Sequence, residues 1–377
     1  MIPQKIYDLA IIGAGASGLQ FLYEYFQNSE NISKSVLLID SGDRSNKSWC
    51  FWQAQNQTSF PFLIEKSWSN ISYKSSSGVL KTAPVHPLNY NYISSERFFD
   101  YFFNEFIPNH PNIHCERTLA ISLNEKPAYI EINCENSTNF QALCVADSRI
   151  KSPYATNDQS AKQHFWGKFV EFEEEKFNEE SATIMDFSLD ASNEEQAVFH
   201  YILPFSKKYA LIETTLFTLA SFNEEKYDEI WLKYMQTNFP DQTYKIISTE
   251  KGSIPMRLSK HESFSDRIFM IGGDNGFTKA STGYAFARMH ANAKSLIHQK
   301  VPKKHHARFR FYDSMLLSVI HHEVEQIPAV MDRLFDQIPF PKILQFLDEK
   351  SNLKDEIQIF SQLNILLFLK HLLKLHK

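Results

Sequence analysis

The stretch IIGAGASGL, residues 11–19, constrains the fold of this chain more than any other. Gly13, Gly15 and Gly18 stand in G-x-G-x-x-G spacing. YDLAIIG before them reads as a buried strand, and SGLQFLYEYFQNS after them as a helix. SVLLID is a second apolar strand ending in Asp40, 22 residues after Gly18. This is the βαβ context that gives the spacing its meaning as a dinucleotide fingerprint. Gly13 permits the tight turn, Gly15 lets the backbone approach a pyrophosphate, and Gly18 lets the helix close on the strand. The pyrophosphate would lie at the helix N-terminus, where free amides and the helix dipole favour an anion. Asp40 can accept a hydrogen bond from a ribose. The glycines alone would also suit a βαβ unit that binds nothing.

The chain has 377 residues, enough for one large or two modest domains. A net charge of −5 without a long basic block argues against a nucleic-acid partner. Cys50, Cys115, Cys134 and Cys144 show neither CxxC nor His-paired spacing. That speaks against a metal site or a disulfide framework and fits a reducing cytoplasm. MIPQKIYDLAIIGAG runs straight into a strand, so no signal peptide is expected. No apolar run is long enough to span a bilayer. The 32 Phe residues suit either a Phe-rich core or a greasy pocket.

Further along, SSERFFDYFFNEFI has helical spacing with Ser95 as its N-cap, and FQALCVADSR reads as a buried strand ending in a polar turn. HFWGKFVEFE, SATIMDFSLD, AVFHYILPF and YALIETTLF read as strands, the last two joined by the short turn SKK. DRIFMIGGDNG returns to the α/β pattern, and GYAFARMHANAKSLIHQ follows it as a helix.

IFMIGGDNGFTKASTGYAF is similar to the late strand–turn–helix motif of aromatic-hydroxylase flavoproteins, whose Gly-Asp touches the flavin ribityl chain. Here that maps to Gly273 and Asp274. VADSR resembles a third motif of the same fold. Together the three motifs imply FAD rather than NAD. The expected architecture is an α/β (α+β) flavoprotein with a Rossmann-like split FAD-binding domain at 1–58, 91–150 and 250–300. An inserted antiparallel β-sheet substrate domain would occupy 59–90 and 151–249, and a helical C-terminal region 301–377.

SWCFW, SATIMDF, YILPFSKKYALIETTLF, GSIPM and GDNGFTKASTGYAF together resemble the lycopene β-cyclase family of bacterial carotenoid synthesis, in order and over most of the chain. The resemblance implies a non-redox flavoenzyme. It would need reduced FAD, with NADPH or NADH as reductant, and would close the ends of lycopene into β-ionone rings. The resemblance also implies Glu213 as the acid–base residue. Plant relatives carry Glu-Glu-Thr there; Ile212 replaces the first of those glutamates, so no role for it carries over. Ser48 stands where the family pattern leads one to expect Thr. A lipid-dissolved substrate implies a cytoplasmic protein lying peripherally on the inner membrane.

The chemistry can be read independently. Strand alternation puts Tyr209, Leu211, Glu213 and Thr215 on one face. A glutamate there sits either at a wet rim or in a place made for chemistry, and spacing alone leaves both open. Ring closure begins by protonating a terminal C=C bond, which calls for a neutral acid in a dry pocket. Asp186 in IMDF is a second carboxylate in an apolar strand, able to orient or share the proton. Trp49, Phe51 and Trp52 offer π-faces to a cation. In the tail, Ile365, Phe368, Leu369 and Leu372 form an apolar stripe, with Lys370, His371, Lys374 and Lys377 towards another face. That pattern fits a membrane-surface helix or an ordinary packing helix. The rival functions are a flavin-dependent monooxygenase and a non-catalytic flavin- or carotenoid-binding protein.

Overall fold

The computed structural model describes residues 5–42, 44, 46–149, 160–221, 223–258, 265–273, 276–299 and 306–375. The chain opens with β1 (Ile6–Ile12), α1 (Ala16–Gln27) and β2 (Val36–Asp40). β3 (Ser48–Ala54), β4 (Lys66–Trp68), β5 (Asn70–Lys74), β6 (Leu80–Pro84) and β7 (Leu88–Ser94) follow. α2 (Ser95–Asp100) leads to β8 (Ile113–Arg117), β9 (Ala120–Glu125), β10 (Ile130–Cys134) and β11 (Asn139–Asp147). Next come β12 (Ala161–Phe172), β13 (Ser181–Asp186), β14 (Gln196–Pro204) and β15 (Tyr209–Thr218), then α3 (Glu224–Asn238) and β16 (Tyr244–Met256). β17 (Ile268–Met270) and α4 (Phe286–Gln299) precede the C-terminal helices α5 (Ala307–His322), α6 (Ile327–Gln337), α7 (Phe340–Leu347), α8 (Leu353–Gln362) and α9 (Ile365–Leu375).

The first sheet runs β8-β2-β1-β11-β10-β9, with β17 added beside β11. β8, β2, β1, β11 and β17 are parallel; β10 runs antiparallel to β11, and β9 antiparallel to β10. β1 and β2 are nearly unbroken apolar runs because a parallel sheet is covered on both faces. α1 packs against one face, where Leu19, Phe21 and Leu22 join Phe286 of α4 in one core.

The second sheet runs β16-β12-β15-β14-β13-β5-β6 and is antiparallel except where β13 meets β5. β15 therefore lies near its middle, and its residues alternate between two cores. Ala210 and Ile212 pack under α3 with Trp231 and Tyr234. Leu211 and Phe217 face the other way, into a core shared with the C-terminal helices. Trp231 is fully buried, and its indole N–H donates to the Ile212 carbonyl at 3.0 Å, which pins α3 to the strand. β3, β7 and β4 make a small third sheet. Trp52 of β3 donates to the Leu344 carbonyl of α7 at 3.1 Å.

Some expectations shift. Ser94, not Ser95, caps α2, accepting from the Arg97 N–H; the Ser95 hydroxyl instead accepts from the Lys47 amide at 2.8 Å. β16 stays in the second sheet as far as Met256, so that sheet extends past residue 250. In α9 the expected basic face is broken. His371 is fully buried against the Ser318 hydroxyl at 2.8 Å, and Lys370 pairs with Glu323 at 2.6 Å. Lys377 lies outside the described residues.

Candidate active site

The glycine loop has the shape its spacing predicts. Gly13 adopts a φ of +90°, and a Cβ there would fall 2.2 Å from the Ser148 Oγ. A Cβ on Gly18 would fall 1.9 Å from the Gly13 carbonyl oxygen, so only glycine lets α1 approach this closely. Gly15 differs: a Cβ there meets nothing within 4 Å. The loop is open on that side, and α1 begins with no side-chain cap and no acidic residue in its first turn. Uncapped amides beside open space suit a pyrophosphate.

Asp40 ends β2, and its two oxygens accept from the Ala14 and Gly42 amides at 3.0 Å each. The Ser148 hydroxyl of the VADSR turn donates to the Ile12 carbonyl at 2.6 Å, and a Cβ on Gly272 would lie 2.5 Å from the Ser148 carbonyl oxygen. The three loops therefore converge beyond the C-terminal ends of β1, β11 and β17, the edge where α/β sheets bind ligands. Gly273 sits at this junction, a Cβ there falling 2.7 Å from the Thr278 Oγ1. Asp274 lies outside the described residues.

Glu213 faces a cavity of about 790 Å³ between the second sheet and the C-terminal helices. That is large for a ligand pocket, which typically holds about 300–1,000 Å³. Its walls are mostly carbon, including Phe199, Phe217, Met331 and Leu334. Glu213 is 8% exposed and accepts a hydrogen bond from the Thr215 hydroxyl at 2.8 Å.

Opposite it stands a second carboxyl that the motifs did not reveal. Gly167 of β12 pairs with Glu213 of β15 on one side and Glu250 of β16 on the other. A Cβ on Gly167 would lie 3.4 Å from the Glu213 Cβ and 3.2 Å from the Glu250 Cγ, so the glycine leaves the gap in which the two acids face each other. The Ser48 hydroxyl donates to Glu250 Oε2 at 2.7 Å. Burial, and then the charge of Glu250, push the Glu213 carboxyl well above the ordinary 4.5, while the Thr215 bond pulls the other way. Burial also raises Glu250, with the Ser48 bonds opposing it. Two buried carboxyls set across a glycine, each pushed up by burial, favour a neutral acid at this site.

Aromatic groups complete the wall. Tyr90 links the hydroxyls of Tyr201 and Tyr284, the latter at 2.8 Å. Trp52 packs edge-on to Tyr284, ring centres 4.5 Å apart. Trp49 and Trp52 line the cavity, whereas Phe51 stacks on Phe286 in the nucleotide-side core. Ile365, Phe368, Leu369 and Leu372, the apolar stripe of α9, also border the cavity.

Asp186 is not brought to this site. It pairs across strands with His200, while Glu213 pairs with Tyr201, one residue further along β14 and on the opposite face. The register slips between Thr183 and Asp186, and that slip turns the carboxylate away from the cavity. There it accepts from the Tyr234 hydroxyl at 2.6 Å and pairs with Lys74 at 3.5 Å, under α3. The expectation that it shares or orients the Glu213 proton is therefore corrected: Asp186 holds α3 to the sheet. Among the described residues, no cluster of His, Cys, Asp and Glu is arranged to hold a metal ion.

A glycine-rich loop on a parallel sheet, joined to a second sheet that roofs an apolar cavity, defines an α/β protein with a two-sheet, dinucleotide-binding type of fold. Solved structures share this fold at 10–13% identity. A geranylgeranyl bacteriochlorophyll reductase-like protein of Thermoplasma acidophilum matches at TM-score 0.57 and 10% identity, over 98% of this chain and 96% of that one. The halogenase PltM matches at 0.53 and 13% identity, over 94% and 85%. A 2,6-dihydroxypyridine-3-hydroxylase of Arthrobacter nicotinovorans matches at 0.53 and 12% identity, over 88% and 93%. Comparison with curated protein sequences gives no match. The chain belongs to the lycopene cyclase protein family, whose model matches residues 8–371.

Proposed function

We propose that this protein is a lycopene β-cyclase, closing the ends of lycopene into β-ionone rings without net redox change. The observation that carries this reading is Glu213, a buried carboxyl at the wall of an apolar cavity, where desolvation favours its neutral form. Glu213 protonates a terminal C=C bond and leaves a tertiary cation. The neighbouring double bond attacks that cation and closes the ring, and loss of a ring proton restores neutrality. The apolar walls exclude water, which would otherwise trap the cation. Tyr201, Tyr284 and Trp52 present π-faces and oriented hydroxyls to it.

FAD would be held by the Gly13–Gly18 loop, Asp40 and the turns at Ser148 and Gly273. When bound and reduced by NADPH or NADH, it would supply negative charge to stabilise a cation. The division into an FAD domain, a substrate sheet and a C-terminal helical region is part of the same proposal. So is a site of action on the cytoplasmic face of the inner membrane. The support for the latter is apolar exposure: Leu366 is 78% and Leu373 71% exposed, beside Ile365 and Leu369 at the cavity edge. No described helix is long and apolar enough to cross a membrane.

Expression in a lycopene-accumulating bacterial host tests the function. A change from red to orange-yellow, with β-carotene on chromatography, is the expected result. An oxygenated product would point to a monooxygenase, and unchanged lycopene to a binding protein.

A further inference from the structure

β16 is an edge strand, and its burial is inverted. Ile246 and Ile247 are 48% and 53% exposed, while Glu250 is only 5% exposed. From Tyr244 to Pro255, Glu250 is the one fully buried side chain. Burying a carboxyl while leaving isoleucines in water runs against the cost of desolvation, so the placement needs a compensating role. Two local features are built around it. Gly167, in the interior of a strand where glycine weakens the sheet, opens the gap to Glu213. Ser48, from a different sheet, reaches across to donate to Oε2, while Oε1 is buried with no hydrogen-bond partner.

We propose that Glu250 is a positioning residue for the acid: its carboxylate, held by the Ser48 hydroxyl and set across Gly167 from Glu213, keeps the single proton of the pair on Glu213. The inference rests on the proposed acid role of Glu213 and extends it. Other groups around the pair do not compete for this task. Tyr201 and Tyr284 face Glu213, and Cys50 and Tyr92 lie near Glu250; burial raises all four, so they stay neutral. Lys279 at the cavity wall is paired with Asp313 at 2.8 Å. Lys251, next in sequence, points to the other face, towards Glu224 and the Trp166 ring. Lys47 at the rim is exposed. Glu250 is the charge that Glu213 feels at close range. Ser48 also explains why the SWCFW segment tolerates Ser for Thr: the hydroxyl is what reaches Glu250.

The test is an infrared pH titration of the FAD-loaded protein, following the band of a protonated buried carboxyl. The component that titrates at the highest pH should vanish in Glu213→Gln, leaving that of Glu250 at a lower pH. In Glu250→Gln it should remain but titrate at a pH lower by about one unit or more, because the facing charge is gone. Glu250→Asp, which keeps the charge, should titrate close to the wild type. In a Ser48→Ala, Glu213→Gln double variant, Glu250 loses its donor and should titrate at a higher pH than in Glu213→Gln alone. The alkaline limb of the pH–rate profile for cyclisation should move in step with the band. A highest-pH component unchanged in Glu213→Gln, or a titration unmoved by Glu250→Gln, overturns the proposal. Failure of the wild type to cyclise lycopene would instead remove the proposed function, whatever the infrared result.

Discussion

A carboxyl in water gives up its proton well below neutral pH; at Glu213, burial and then the facing Glu250 penalise the ion and push the carboxyl up to about 8. Glu213→Gln preserves size and neutrality but removes the transferable proton. Cyclisation should fall by about 10²–10⁴, the usual contribution of general acid–base catalysis, with FAD content unchanged. Assay of the purified variant checks this; β-carotene formed at the wild-type rate would make Glu213 a rim residue. The pH dependence has a definite sign. The acid must be protonated to act, so turnover should fall as pH rises through the raised folded value. Stability follows the same direction. The contribution of Glu213 is present below its ordinary 4.5 and is lost as pH rises towards the folded value, because the unfolded chain releases that proton more readily. Melting temperatures across this window should fall less steeply in Glu213→Gln than in the wild type. Gly15→Val is the matching test at the cofactor loop. The fold has room for the side chain, since nothing lies within 4 Å, so the variant should fold yet lose flavin absorbance. A folded variant with full flavin absorbance would disprove the assignment of that loop.

Strands and helices show where sequence reading succeeds and where it stops. The alternation in YALIETTLF is regular, so the face carrying Glu213 is legible from spacing alone. SATIMD alternates only as far as Ile184, and the register slips before Asp186, which goes to the opposite face and serves α3. Glu250 was hidden for a different reason. It lies in a polar, exposed-looking strand and meets Glu213 only through Gly167, a pairing between strands far apart in the chain. Gly167→Ala tests this geometry. The added methyl would meet Leu211, Glu250 and Glu213, costing about 1–3 kcal/mol as overpacking and separating the carboxyls. Thermal melting should show modest destabilisation, and cyclisation should fall by more than that destabilisation explains; unchanged turnover would show that the spacing of the acids is immaterial. In α9, His371 reads as part of a polar face but is buried against α5. The exposed Leu366 and Leu373 remain for a lipid surface. Changing both to Gln should weaken binding to anionic liposomes with the melting temperature unchanged, and equal binding would leave the helix a packing element.

The half that carries the glycine loop was the more legible, because G-x-G-x-x-G between two strands fixes turn and helix within forty residues. The cavity half was legible as strands but not as a chamber, since its walls come from β3, the second sheet and helices at the far end of the chain. What joins the halves in the proposed reaction is an acid facing an apolar space, with no step that consumes oxygen. Mass therefore gives the most direct test. Purified protein, chemically reduced FAD and lycopene should be incubated without oxygen, and the product analysed by chromatography and mass spectrometry. The account predicts β-carotene of the same mass as the substrate, formed under strict anaerobiosis. A product heavier by an oxygen atom, or turnover that appears only when oxygen is admitted, would contradict it.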